Sequence, residues 1–154
     1  MIDQHSLDGE SRHAQVAPRV LPERCVIVVD KDLPIGHAAN AAAVVALTIG
    51  HRHAALVGEA FADASGETHP GLIPVGITVL SAAGNDLSEI RRKAIEAKCD
   101  VVDFPREGQQ TTNYHAFREA TAMADGQTMK YLAVALVGGK KEVSKIVGHL
   151  ALLR

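Results

Sequence analysis

The run Cys25-Val26-Ile27-Val28-Val29 is continuously apolar and is closed by Asp30-Lys31-Asp32. An apolar run without alternation fits a strand buried on both faces, which requires helices on both sides of its sheet. Pro34 can open a helix, because its missing N–H would have no partner in the first turn anyway. From Ile35 to Ile49 nearly every residue is apolar and small, which predicts a helix buried on almost all sides, with Gly50 as its stop. Between His51 and Pro74, Gly58, Gly66, Pro70 and Gly71 interrupt any period, predicting a loop with one short element around Ala54–Phe61.

Val75–Leu80 reads as a second strand. Asp86 and Glu89 have the spacing of a capping box, and Leu87, Ile90, Ala94 and Ala97 follow at helical intervals. Asp100–Phe104 is a third strand, closed by Pro105, and Arg106–Asn113 is a polar loop before a helix over Tyr114–Ala124. Tyr131–Val137 is a fourth strand. Gly138-Gly139 then turns into a helix with Val143, Ile146 and Val147 inward, and His149–Leu153 is a last extended segment. The pattern predicts an α/β domain: a compact mixed, mostly parallel sheet of four to five strands with helices on both faces. Residues 1–22 are polar and aperiodic and read as a disordered tail, leaving residues 23–154 as the single domain.

Composition narrows the picture. A length of 154 residues suits one domain, and 47% hydrophobic residues suffice for a core. Only five residues are aromatic, so that core must be aliphatic and rich in alanine. A net charge of −2 argues against binding tRNA by broad phosphate neutralisation. Cys25 and Cys99 have neither metal nor redox spacing, which predicts buried free thiols in a reducing compartment. No apolar run reaches the length of a membrane span and the N-terminus lacks a secretory apolar block, so a cytoplasmic protein is expected. His51-Arg52-His53 and the remaining histidines complete no metal-ligand set. Gly138-Gly139-Lys140-Lys141 is neither a Walker loop nor a dinucleotide fingerprint, so no cofactor is expected.

Two segments carry a family resemblance. The stretch from Val26 through Asp32-Leu33-Pro34-Ile35-Gly36-His37 to Ala41-Ala42 resembles the opening of the type-2 peptidyl-tRNA hydrolases, and Val147-Gly148-His149-Leu150-Ala151-Leu152 resembles their C-terminal motif. The resemblance implies a type-2 peptidyl-tRNA hydrolase-like fold. It also implies a site at the strand ends, near the first helix's N-terminus. In that correspondence the family's Lys falls on His37, its helix Gln on Ala43 and the following His on Ala46. The basic residue after the first strand falls on Asp30. The family's Asp and Arg loop falls on Arg106 and Gln109 without gaps, or on Asp103 and Arg106 after a shift of three. These departures are more like an uncharacterised branch of the fold, a domain family of unknown function.

His37 is the sharpest candidate, since a His beside a carboxylate can move protons near neutral pH. The expected catalytic set is His37, Asp32 and Asp103, with Lys31, Arg106, Thr111 and His149 binding the ligand. For His149, which the resemblance places in the C-terminal motif, a structural hydrogen bond is favoured over a substrate contact. Three functional classes follow: a small-molecule site, a hydrolase of aminoacyl or peptidyl esters, and a non-catalytic interaction module forming a homodimer.

Overall fold

Strand β1 (Arg24–Asp30) is buried from Cys25 to Asp30 and lies third of five in the order β5-β6-β1-β4-β7. The structure, a computed structural model, describes residues 22–154; the expected tail falls, apart from Pro22, outside them. On one side β1 pairs in parallel with β4 (Thr78–Ala82), from Val26↔Thr78 to Asp30↔Ala82. On the other it pairs antiparallel with β6 (Tyr131–Gly138), from Arg24↔Gly138 to Val29↔Ala133. Strand β5 (Asp100–Pro105) borders β6 and β7 (Ala151–Leu152) borders β4, both antiparallel.

The sheet is therefore mixed and mostly antiparallel, not mostly parallel. Helical crossovers do set β1, β4 and β5 in one direction, as the strand–helix alternation demands. Strand β6 then returns between β1 and β5 and separates them, so the β1–β4 pair is the parallel one. Nothing in the composition of β6 announces where it inserts.

The pleat of β1 sorts the core. Val26 and Val28 face α2 (Leu87–Glu96) and α5 (Lys140–Val147), against Leu87, Ile90 and Val143. Cys25, Ile27 and Val29 face α1 (Ile35–Arg52), against Ala38, Ala41, Val45 and Ile49. Each fully buried Val, Ile or Leu contributes roughly 1.5–3 kcal/mol, so this two-sided strand anchors the domain.

Helix α1 is buried along one face only, contrary to its uniformly apolar sequence: Ile35 and Leu47 are 71% and 79% exposed. Periodicity cannot rank faces when all of them are apolar. Nor does Gly50 end the helix, which continues to Arg52. Its last turn is held by Asp100, which accepts from Arg52 at 2.6 and 2.8 Å and lies 2.7 Å from His53 Nε2. The expected capping box also fails to form. The chain enters α2 through a 3-10 turn (Gly84–Asp86), Asp86 already has helical angles, and Glu89 pairs with Arg92 instead. The expected loop after α1 contains a 3-10 turn (Ala54–Leu56) and a small hairpin, β2 (Phe61–Ala62) with β3 (Thr68–His69). At the hairpin's turn, the Ser65 side chain and the Ser65 and Glu67 amides donate to Asp63, holding its carboxyl at about 2.

Two predictions follow from this packing. Burial pushes the Cys25 thiol up to about 11, whereas Cys99 is half-buried. A thiol reagent at pH 8 should label Cys99 before Cys25, and equal rates in the folded protein would contradict the packing of β1. The Arg52 guanidinium, aided by His53, holds the Asp100 carboxyl below its ordinary value. A lowered carboxyl contributes stability above its unfolded value of about 3.9, and that contribution is lost as pH falls through the folded value. Asp100→Asn should therefore lower stability at pH 7, by up to about 1 kcal/mol for so exposed a pair, and flatten the acid limb of the unfolding profile.

Candidate functional site

Pro105 at the end of β5 pairs with Tyr131 at the start of β6, so a tight turn could join the two strands. Residues 106–130 instead leave the sheet at the carboxyl ends of β1, β4 and β5. They form α3 (Glu107–Gln110) and α4 (Tyr114–Met123), and Asn113 Oδ1 caps α4 by accepting from the Ala116 amide at 2.9 Å. Neither helix has a fully buried residue. They stand beside α1 and leave a cleft between.

At the cleft's upper end, Gly36, His37 and Asn40 of α1 face Gly108 and Gln109 across a hollow of about 360 Å³. The Gln109 amide nitrogen lies 2.8 Å from His37 Nδ1. An amide N–H donates, so Nδ1 accepts and the proton of the neutral imidazole sits on Nε2. A second hollow of about 380 Å³ runs along α1 past Val44 and Thr48, with Val102 and Phe104 of β5, and with Thr111, Tyr114 and Phe117 opposite. Gly108 borders both hollows. A Cβ there would lie 2.0 Å from the Phe104 ring, so glycine lets α3 sit against the cleft floor.

The other expected site residues are distributed differently. Thr111 lines the apolar hollow and donates from its hydroxyl to the Glu107 carbonyl. Asp103 borders the hollow, but its carboxylate receives Arg91 Nε of α2 at 2.5 Å. Strand alternation explains this: Val102 and Phe104 point to the α1 side, so Asp103 points to the α2 side. Lys31 and Asp32 are exposed. The Lys31 amide donates to the Ala82 carbonyl and the Asp32 amide to Asp30 Oδ1 at 3.1 Å. Arg106 approaches Asp30 Oδ2 at 3.9 Å. His149 lines a groove of about 460 Å³ between α2 and α5, among Lys93, Glu96, Glu142 and Lys145. The structure thus brings His37 and Thr111 to one cleft and puts Arg106 at a different carboxylate.

That carboxylate, Asp30, is the feature sequence reading missed. It is 4% exposed at the end of the central strand. A signal was available, since the even positions of β1 face α2, and a charged residue continuing that series must be buried. Gly84 makes room for it: a Cβ there would lie 2.5 Å from Asp30 Oδ2. Nearby, Arg91 lies over the Tyr131 ring at 5.5 Å, and burial, with Asp103 and Glu107, pushes the Tyr131 phenol up.

Two other hollows are each larger than either hollow of the cleft. One of about 540 Å³ lies on the outer side of α4 among Tyr114, His115 and Arg118, and the other is the groove holding His149. The cleft is distinguished by its three structural walls, α1, β5 and α3–α4, and by its position at strand carboxyl ends, where open α/β sheets commonly receive ligands.

Sheet, flanking helices and cleft define a mixed α/β domain with a recess of small-molecule size. The chain belongs to the family described as a protein of unknown function, DUF2000, which matches residues 23–154. The solved structure of a protein of unknown function from Agrobacterium tumefaciens strain C58 shares this fold, with a TM-score of 0.76 and 22% identity over 84% of this chain and 96% of that one. No curated protein matches the chain. No helix among the described residues is long and apolar enough to cross a membrane.

The packing of Asp30 against Gly84 is testable by a double-mutant cycle. Gly84→Ala should destabilise by about 1–3 kcal/mol through overpacking, and should cost clearly less in an Asp30→Ala background, where the blocking oxygen is gone. Equal costs in both backgrounds, measured by denaturant unfolding, would show that the two positions do not touch.

Proposed function

We propose that this protein binds a small molecule in the cleft between α1 and α3–α4. The observation that carries this reading is the meeting at Gly108 of two hollows, one polar beneath the His37–Gln109 hydrogen bond and one apolar above Phe104. A polar group of the ligand engages His37, Asn40 and Gln109, and its apolar body lies along Val44, Phe104 and Thr111. His37 offers its Nε2 proton as a hydrogen-bond donor to the ligand. Arg106, Lys31 and Asp32 serve at one remove, by fixing the Asp30 end of the sheet from which the α3 turn departs. Asp103 does the same through Arg91.

Kinship with the type-2 peptidyl-tRNA hydrolases is part of the same proposal. Its support is the β1–turn–α1 opening and the later order of β4 and α2. Binding is the better supported activity, because the partner of His37 is the neutral Gln109 amide and not a carboxylate. The two free thiols favour a reducing, cytoplasmic setting, and the net charge of −2 speaks against tRNA as a partner.

One observation favours self-association as a second property. Ile35, Ala39, Ala43 and Leu47 form an exposed edge of α1, and no Asp, Glu, Lys or Arg occurs from Leu33 to His51. Light scattering at rising concentration tests this: a dimer that Leu47→Glu converts to monomer is expected, and a monomer throughout contradicts it.

The binding proposal is tested by extracting small molecules from purified protein for mass spectrometry, then measuring rebinding. Val44→Trp, at a half-exposed position that tolerates bulk, should abolish rebinding by filling the cleft. His37→Ala should weaken it about tenfold, the loss of one good hydrogen bond. Full rebinding by Val44→Trp would place the ligand elsewhere.

A further inference from the structure

The chain contains five aromatic residues, three Phe and two Tyr, with no Trp. Three of them, Phe104, Tyr114 and Phe117, line the same hollow. For Tyr114 and Phe117 the core shows why this is not a packing demand. Its buried hydrophobic residues are Val, Leu, Ile, Ala and Cys25, with Tyr131 as the aromatic one; of the cleft's rings Phe104 packs against it, part-buried on β5. The two rings of α4 are also poorly placed for stability: Tyr114 is 74% exposed and tilts against Phe117 at a centroid distance of 5.8 Å, on a helix without a fully buried residue. Ring faces left open on a wall that its own core does not hold are suited to stacking on something added.

The polar groups restrict what is added. Asn40 and Gln109 border the upper hollow and Asn113 the lower one; Gln109 gives one N–H to His37 and Asn113 Oδ1 accepts from the Ala116 amide, and each amide keeps a second N–H and a carbonyl lone pair beside it. Among the described lining residues of both hollows Asp103 is the one charged residue, and its carboxylate is turned to Arg91. A charged ligand would meet no opposite charge there, and a flexible aliphatic one would leave the amides unmatched. Aromatic side chains stack on any flat ring, and Asn and Gln pair bidentately with the edges of heteroaromatic ones.

We infer that the ligand of this cleft is an uncharged, planar heteroaromatic ring system, gripped on its face by Phe104, Tyr114 and Phe117 and along its edge by the Asn40, Gln109 and Asn113 amides. This rests on the small-molecule reading of the cleft and narrows it to one ligand class. A volume of about 380 Å³ lies within the range of small-molecule pockets.

The test uses the full-length protein and three probes: adenine as a neutral planar heteroaromatic, octan-1-ol as a neutral aliphatic, and naphthalene-2-sulfonate as an anionic aromatic. Binding is read from amide chemical shifts and from tyrosine fluorescence, which no Trp obscures. Saturable adenine binding that shifts the Gly108 and Phe117 amides is expected, tighter than that of the other two. Phe117→Ala should weaken it at least tenfold. Tyr114→Phe should preserve it where Tyr114→Ala does not, because the ring face and not the hydroxyl makes the contact. Thermal unfolding of each variant separates lost stacking from lost structure, and Tyr114→Ala, at an exposed position, serves if Phe117→Ala does not fold. Preferential binding of octanol or of the sulfonate in the cleft overturns the heteroaromatic inference while leaving the small-molecule reading intact. Adenine binding unchanged in both alanine variants also overturns it. If none of the probes binds the cleft, the inference and the reading beneath it fall together.

Discussion

The rest of the structure depends on where β6 inserts. By running antiparallel between β1 and β5, it completes the hydrogen bonding of a central strand that has no polar face. Buried backbone amides and carbonyls must be paired, and β1, buried along both pleats, has no solvent to fall back on. Pairing with β4 on one side and β6 on the other satisfies it. The same insertion makes β5 and β6 neighbours whose junction lies at the carboxyl end of the sheet, beside the N-terminus of α1.

From that placement the division of labour follows. Strand β1 sends Cys25, Ile27 and Val29 to α1, and Val26, Val28 and finally Asp30 to the other side. Stability resides in these two aliphatic layers. Residues 106–130 contribute little to either, since α3 and α4 have no fully buried side chain. Free of packing duty, this connection can present a different chemistry, and it does: amides, hydroxyls and aromatic faces opposite a helix without Asp, Glu, Lys or Arg before Arg52. Asp30 and Gly84 lie on the opposite side of the same strand ends, where a buried carboxylate is accommodated by a missing Cβ.

Much of this was legible in the sequence, and its limits have physical causes. The doubly buried character of β1, the inward faces of α2 and α5, and an α/β class with helices on both faces follow from apolar runs and periodicity. Strand neighbours do not, because pairing is a matter of long-range geometry; hence the error over a mostly parallel sheet. The buried face of α1 was illegible for a different reason, since an almost uniformly apolar helix has no period to read. At the cleft, His37 and Thr111 are the expected site residues that line its two hollows away from other side-chain ion pairs. Asp103 and Arg106 were read as neighbours of His37 because they end the third strand, where the resemblance places the family's Asp and Arg loop. Strand alternation turns Asp103 to the other face, and Arg106 reaches across to Asp30. Gln109 and Phe117 were overlooked as site residues because an amide and an aromatic carry no spacing signature; their significance lies in the scarcity of aromatic residues and in where the chain brings them.

The central claim is that the sheet and its flanking helices are the fold, and that residues 106–130 are a functional wall added to it. Its most direct test replaces residues 107–129 with Asn-Gly, a turn suited to a two-residue hairpin, between Arg106 and Lys130, whose backbones already hydrogen-bond. Hydrogen exchange on this variant should show β1 and β6 still protected through one cooperative unfolding transition. Loss of that protection, or of cooperativity, would mean that α3 and α4 hold the core together, and would contradict the account.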